Sequence, residues 1–214
     1  MKRSAKRPYH HGDLAAALVD TAVELIAERG VAGFSMAEAS RRLGVTVAAP
    51  YRHFADRDAL LAAVAAKAAT DLTAAVAVEA SAVPEPTDRI AAAARGYVRF
   101  ASANAALFQA LFAAGLDKRA RPELEEAARP LVEDFFHGPA TSLFDGDEQA
   151  GEALALAVLA TAHGHAMLLL DGAFGPDTDA VGQAMARAHA AALGLVSGRE
   201  ALRSADLPTK VAGK

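Results

Sequence analysis

The chain has 214 residues with no cysteine and no tryptophan, and 53% of it is hydrophobic. That suffices for one large core, or a small domain beside a larger one, and it excludes disulfides and thiolate metal sites. The formal charge of −4 argues at first against a nucleic-acid binder, but residues 1–57 hold nine Lys/Arg against six Asp/Glu and the remainder thirteen against twenty, so an electropositive N-terminal part precedes an acidic body.

Residues 1–8 read as a short, disordered basic tail. Lys2, Arg3, Lys6 and Arg7 either form an arm that enters a minor groove or are simply solvated. No apolar signal-peptide core follows. Asp13 to Arg29 has the spacing of an amphipathic helix, with Leu14, Leu18, Ala22, Leu25 and Ile26 on one face. Gly30 is placed to end it. Ser35, with Glu38 three residues on, has the pattern of a capping box for a short helix from Met36 to Leu43. Gly44 ends that helix. Thr46 is positioned to cap another, running to about Phe54. Asp56 caps a long helix to about Ala80, and Val83-Pro84-Glu85-Pro86 breaks the chain.

Beyond the break, Thr87 or Asp88 begins a helix through Tyr97 and Phe100, and Asn104 is the expected cap of the next, which carries Leu107, Phe108, Leu111 and Phe112. Gly115 to Arg121 reads as a polar loop. Pro122 suits a first helical turn, Pro130 should kink or divide that helix, and Gly138-Pro139 should end it. Two long apolar helices follow, from about Glu148 to Asp171 and from about Asp177 to Val196. Residues 197–214 read as a loose tail. The longest apolar run, around Leu154 to Leu170, is interrupted by His163, Gly164 and His165, so the chain reads as soluble and cytoplasmic, with no membrane partner.

The informative stretch is SMAEASRRLGVTVAAPYRHF, from Ser35 to Phe54. Two short helices that cross steeply need a tight turn, and Gly44 reaches a positive φ without steric cost. Ser40 is small where the helices approach, and Leu43 and Val45 can plug the angle between them. This is the pattern of a helix-turn-helix, whose second helix lies in the major groove. An ordinary helical hairpin in a core is the plainer alternative.

These residues resemble the TetR family of regulators over Asp13 to Ala80: ERGVAGFSM, then AEASRRLGV, then YRHFADRDALL. YHHGDL at Tyr9 to Leu14 and AAPYRHF at Ala48 to Phe54 resemble one subgroup, whose penultimate long helix carries a His-Gly pair matched here by His163-Gly164, without the usual neighbouring tryptophan. Ala39 stands where the family has a larger aliphatic residue, and Pro50 sits inside the reading helix, where its missing N–H disturbs the first turn. The resemblance implies an all-α fold of about nine helices. Residues 9–57 would form the DNA-binding domain (helix-turn-helix proper 35–54), 58–80 a connecting helix, and 81–196 an effector-binding and dimerisation domain.

It also implies site roles. Ser35 would bind a phosphate. Thr46, Val47 and Ala48 would face the groove floor, the last two by contact with thymine methyl groups. Tyr51, Arg52 and His53 would reach the backbone or a base edge, with a core aromatic as the alternative for Tyr51 and packing as that for His53. Arg57 matches a lysine used on phosphate, with a solvated charge as the alternative. Arg41 and Arg42 are either phosphate contacts or a solvated face. The partner is a palindromic operator in double-stranded DNA, read by a homodimer joined through the last two long helices as a four-helix bundle. Ala160, Gly164, Ala184, Ala188 and Ala191 would allow close approach there; the alternative is that these helices are simply the core of one chain.

Tyr97, Phe100, Phe108, Phe112, Phe135, Phe136, His163 and Met167 would line a cavity for a small apolar effector that releases the DNA; for any one of them, plain core packing is the alternative. His163 and His165 are two apart on a helix and point to different faces, so no metal site is expected, and nothing in the sequence calls for a cofactor. The competing reading is a helical small-molecule-binding protein or enzyme with an incidental helix-turn-helix-like segment, but Ser102, Ser142 and Asp171 have no visible activating partner.

Overall fold

Alanine-rich amphipathic stretches with Ser, Asp or Pro at their starts fold as helices, and no strand occurs among the described residues. The computed structural model describes residues 11–113, 121–176 and 178–203. The expectations for residues 1–8, for most of the loop before Arg121 and for residues 204–214 lie outside them. The helices are α1 (His11–Gly33), α2 (Met36–Leu43), α3 (Arg57–Ala80), α4 (Pro86–Ala103), α5 (Ala105–Leu111), α6 (Pro122–Val132), α7 (Gly138–Ser142), α8 (Glu148–Leu170), α9 (Ala180–Ser197) and α10 (Glu200–Arg203). The chain divides into two units, one of Met1–Ala68 with Ala106–Leu124 and the other of Ala69–Ala105 with Glu125–Lys214. The division therefore does not fall at the proline-rich break, and α3 contributes to both units.

In the first unit α1 breaks at Gly30, whose φ of 70° and ψ of 171° are not helical. Leu18, Ala22, Leu25 and Ile26 are buried as the periodicity predicts, and each large one contributes about 1.5–3 kcal/mol over an exposed position. Phe34, Met36, Ala39, Leu60, Leu61 and Val64 complete this core. Asp56 caps α3 by accepting a hydrogen bond from the Ala59 N–H at 2.7 Å. On α5, Phe108 is buried and packs on the half-exposed Phe112, with ring centroids 4.9 Å apart. Asn104 does not serve as the expected cap of α5: both its backbone N–H and its side-chain amide turn back to the Phe100 carbonyl and close α4.

In the second unit α4 is buried almost all round, from Ile90 through Ala91–Ala94 to Tyr97, Val98, Phe100 and Ala101. Both α8 and α9 pack on it. Alanine makes this close approach possible. Ala184, Ala188 and Ala192 of α9 are fully buried within the single chain. Ala184 and Ala188 therefore belong to this core rather than to a face offered to a second copy.

Two expectations about prolines need correction. Pro130 lies inside α6, which continues to Val132, and Gly138-Pro139 begins α7 rather than ending a helix. Between them Glu133–His137 forms a π turn in which the Gly138 N–H donates to the Glu133 carbonyl, five residues back. Widening the ladder by one residue lets the chain pass Pro139, which has no N–H to give, without losing direction. The tail expected from residue 197 likewise opens with a further helical turn, α10, and the Arg199 guanidinium donates to the carbonyls of Leu143 (3.3 Å) and Val196 (3.1 Å).

α3 and α8 are each long and apolar enough, by length and composition, to cross a bilayer, which the interrupted run in α8 was not expected to allow. Only 28% of the apolar window of α8 is buried within the chain, so much of that helix is left for something else to cover.

Candidate functional site

The turn between α2 and the next segment carries the argument. Gly44 adopts φ 67° and ψ 28°, the left-handed conformation. Its N–H donates to the Arg41 carbonyl (3.1 Å) and the Val45 N–H to that of Ser40 (3.0 Å). These are the paired bonds of a Schellman ending, and glycine supplies the required φ without strain. Ser40 is fully buried, and its hydroxyl is satisfied by the Met36 carbonyl at 2.9 Å. At the other end of α2, Ser35 Oγ accepts from the Glu38 N–H at 3.2 Å. The reciprocal half of the capping box is replaced: the Glu38 carboxylate pairs with Arg41 and, at 3.6 Å, with Arg29.

After Gly44 the expected regular helix from Thr46 is tightened. The Ala49 N–H donates to the Thr46 carbonyl (3.0 Å), the Arg52 N–H to that of Ala49 (3.2 Å), and the His53 and Phe54 N–H groups both to that of Pro50 (2.9 Å). The result is a turn followed by a 3-10 helix, Pro50–Arg52. Pro50 cannot donate to Thr46, so the i−3 spacing takes over. Pro50 is buried, while Thr46, Val47, Ala48, Tyr51 and Arg52 are exposed. Val47 is 58% and Tyr51 54% exposed. Tyr51 is thus not a core aromatic. His53 is half-buried.

The four candidate arginines differ. Arg42 forms a two-pronged bond to Glu28, at 2.8 and 2.7 Å, with Glu24 at 3.6 Å. Hydrogen bonding to Arg42 holds the Glu28 carboxyl below the usual carboxylate range. Arg57 sits 5.4 Å over the Phe34 ring and donates to the carbonyls of Phe34 (3.1 Å) and Val31. A cation at the end of α1 is well placed for those orphan carbonyls. Arg41 pairs with Glu38. The exposed side chain of Arg52 has no hydrogen-bond or ion-pair partner among the described residues.

The eight effector-site candidates are shared between the two units. Phe108 and Phe112 lie in the first unit; Tyr97, Phe100, Phe135, Phe136, His163 and Met167 lie in the second. Tyr97, Phe100 and Phe136 are buried, Phe135 and His163 half-buried, and Met167 exposed. The Tyr97 hydroxyl lies 3.1 Å from His163 Nδ1, and the rings meet edge to face. Burial pushes the Tyr97 hydroxyl above its ordinary range.

Sequence reasoning missed two groups in the second unit. Glu79, with its side chain 12% exposed, accepts from Arg95 Nε (2.9 Å) and pairs with Arg99 at 3.0 Å, tying α3 to α4; the i, i+4 arginine pair was the available signal. The other is a groove of about 460 Å³ between the π turn and α8, which of the eight candidates only Phe136 lines. Among the described residues no cluster of metal-ligating side chains occurs.

The model of bacterial regulatory proteins of the tetR family matches residues 18–64, and that of the tetracycline repressor-like C-terminal domain matches residues 90–193. The chain matches no curated protein. Among solved structures, a protein of unknown function from Rhodococcus sp. RHA1 is 30% identical, with a TM-score of 0.72, covering 88% of this chain and 98% of its own. A regulatory protein in the tetR family from Rhodococcus RHA1 is 20% identical (TM-score 0.64; 86% and 96% covered). The transcriptional regulator FadR from Bacillus subtilis, in complex with stearoyl-CoA, is 13% identical (TM-score 0.65; 85% and 96% covered) and shares the fold.

Proposed function

Because the chain belongs to the TetR family of DNA-binding transcriptional regulators, which are not enzymes, we propose that it acts as a homodimeric repressor released from a palindromic operator by a small apolar ligand. The observation that carries the reading is the exposed face Val47, Ala48, Tyr51 and Arg52 beside the buried Pro50. Two large apolar side chains and a cation with no ion-pair partner among the described residues, held out on a short, well-anchored segment, suit a groove with methyl groups on its floor and phosphates along its walls. Ser35, whose Oγ already accepts from Glu38, keeps its hydroxyl proton to donate to a phosphate. A cytoplasmic location goes with this partner.

Dimerisation through α8 and α9 is supported by what the single chain leaves uncovered. Met167, Leu168 and Val181 are exposed apolar residues. A Cβ added at Gly164 or Gly194 would meet nothing within 4 Å, so neither glycine is needed for packing inside the chain. Two half-sites read at once give the specificity that one short segment lacks.

For the ligand, the Tyr97–His163 pair would serve as a polar anchor, with the buried aromatics Phe100 and Phe136 in the same unit. The Bacillus subtilis FadR that shares the fold is in complex with stearoyl-CoA, a ligand with an apolar acyl chain. Its effect on DNA would arise only through tighter binding to the conformation that does not fit the operator.

A gel shift against the DNA flanking the protein's own gene, at two salt concentrations, tests the reading. Specific binding should weaken steeply with salt as counterions are released, and saturating ligand should abolish it. Absence of any sequence preference would overturn the proposal.

A further inference from the structure

We propose that the groove between the Glu133–His137 turn and the N-terminal half of α8 binds an amphipathic organic monocation, such as an alkylammonium. The site lies wholly within the second unit and is separate from the Tyr97–His163 pair. Its inner surface is apolar, formed by Val132, Phe136, Ala155, Leu156 and Leu159, and its volume is about 460 Å³. That is the size of a small-molecule site, and burial of a hydrocarbon body there supplies the affinity. Leu156 is 51% and Val132 37% exposed, so the apolar surface is open to a ligand as the chain stands.

The polar rim selects the sign of the ligand's charge. Glu133, Glu148 and Glu152 line the groove together with His137, and among the described residues no lysine or arginine does. Even with the imidazole ring protonated the lining stays net negative. A carboxylate ligand is repelled, and a neutral one leaves this field unused. His137 Nδ1 lies 3.2 Å from Glu133 Oε2, and its Nε2 lies 3.2 Å from Glu148 Oε2. The two carboxylates thus sit on opposite sides of the ring, which bridges the turn to α8 but cannot gather both around one metal ion. Glu152 has no such tie to His137 and is the carboxylate left to meet an ammonium. The ligand's charged end therefore lies at the Glu133–Glu152 rim, and its chain runs over Phe136 and Leu156.

The test is isothermal titration of the full-length protein with decyltrimethylammonium, 1-decanol and decanoate, all below their micellar or solubility limits. Saturable binding of the cation at one site per chain is expected, with decanol at least several-fold weaker and decanoate not bound. The Glu133→Gln/Glu152→Gln variant alters two exposed carboxylates and should keep its thermal midpoint. It should weaken the cation by about three- to tenfold, a loss that shrinks at high salt. Decanol binding as tightly as the cation, or a variant that binds the cation unchanged, would overturn the proposal. Sedimentation velocity separates the other possible occupant. If Leu156→Ser shifts the monomer–dimer balance while leaving cation binding untouched, the groove belongs to a second copy and the proposal fails. Failure of the operator gel shift would leave this site standing, since nothing in it depends on DNA.

Discussion

The hydroxyl of Tyr97 on α4 meets Nδ1 of His163 on α8 at 3.1 Å, a polar contact between two packed helices. With the hydroxyl donating, Nδ1 accepts and the ring proton lies on Nε2. Tyr97→Phe removes the donor and leaves the imidazole nitrogen without it, which should cost about 1 kcal/mol at neutral pH. The pH dependence has a definite sign. Burial raises the Tyr97 pKa above its unfolded value near 10. Above about pH 10 the unfolded chain therefore loses a proton that the folded chain keeps, and stability falls as pH rises further. Denaturant unfolding followed from pH 7 to 11 should show that decline in the wild type and less of it in Tyr97→Phe. Equal slopes would remove Tyr97 from the account.

Gly151 is required by contact rather than by conformation. A Cβ there would stand 2.3 Å from Thr141 Oγ1 and 2.7 Å from Thr141 Cα. Backbone cannot swing aside as a side-chain tip can, so α7 must move off α8. Gly151→Ala, although it gains helix propensity, should lose about 1–3 kcal/mol by overpacking, or several degrees of thermal midpoint in a chain of this length. Scanning calorimetry decides; a raised midpoint would show that α7 yields freely.

The Gly44 turn depends on conformation instead. With φ at 67°, an L side chain is strained by about 1–2 kcal/mol. Gly44→Ala should be destabilised by that amount and should lose operator affinity through misplacement of residues 46–52. Gly44→Asn should recover part of both, because asparagine tolerates the left-handed region. Unfolding and gel shift measured together on the two variants check this, and equal behaviour of Ala and Asn would count against it.

The ends of helices were the most legible part of the fold. Ser35, Gly44, Asp56 and Pro122 each act through a backbone bond or φ preference within a few residues, and local chemistry can be read from a local string. The turn around Glu133–His137 was not legible, because a proline signals interruption and the sequence does not say that a single wider turn will absorb it. Nor was the burial of Ala184 and Ala188. A stripe of small residues fits against any neighbour, and only the position of α4 decides which one. The arginines show the same limit at the candidate interface. Arg41, Arg42, Arg52 and Arg57 are alike as letters in a basic segment, yet three of them are held by groups up to 26 residues away in the chain, such as the Val31 carbonyl that binds Arg57.

That sorting yields the sharpest test of the DNA-binding surface. A side chain that neutralises a phosphate contributes to the slope of log affinity against log salt, and its removal lowers the slope by about one. A side chain that acts by holding the domain together changes affinity without changing the slope. Arg52, exposed and without a partner among the described residues, is proposed to be of the first kind. Arg42, clasped to Glu28 at 2.7 and 2.8 Å, belongs to the second. Arg52→Ala should therefore bind operator more weakly and with a shallower salt dependence per monomer. Arg42→Ala should bind more weakly at the wild-type slope, and its thermal midpoint should fall where that of Arg52→Ala does not. Glu28→Gln should mimic Arg42→Ala in both respects, since it breaks the same clasp from the acidic side. A reduced slope in Arg42→Ala would mean that the clasp opens on DNA and its guanidinium transfers to a phosphate.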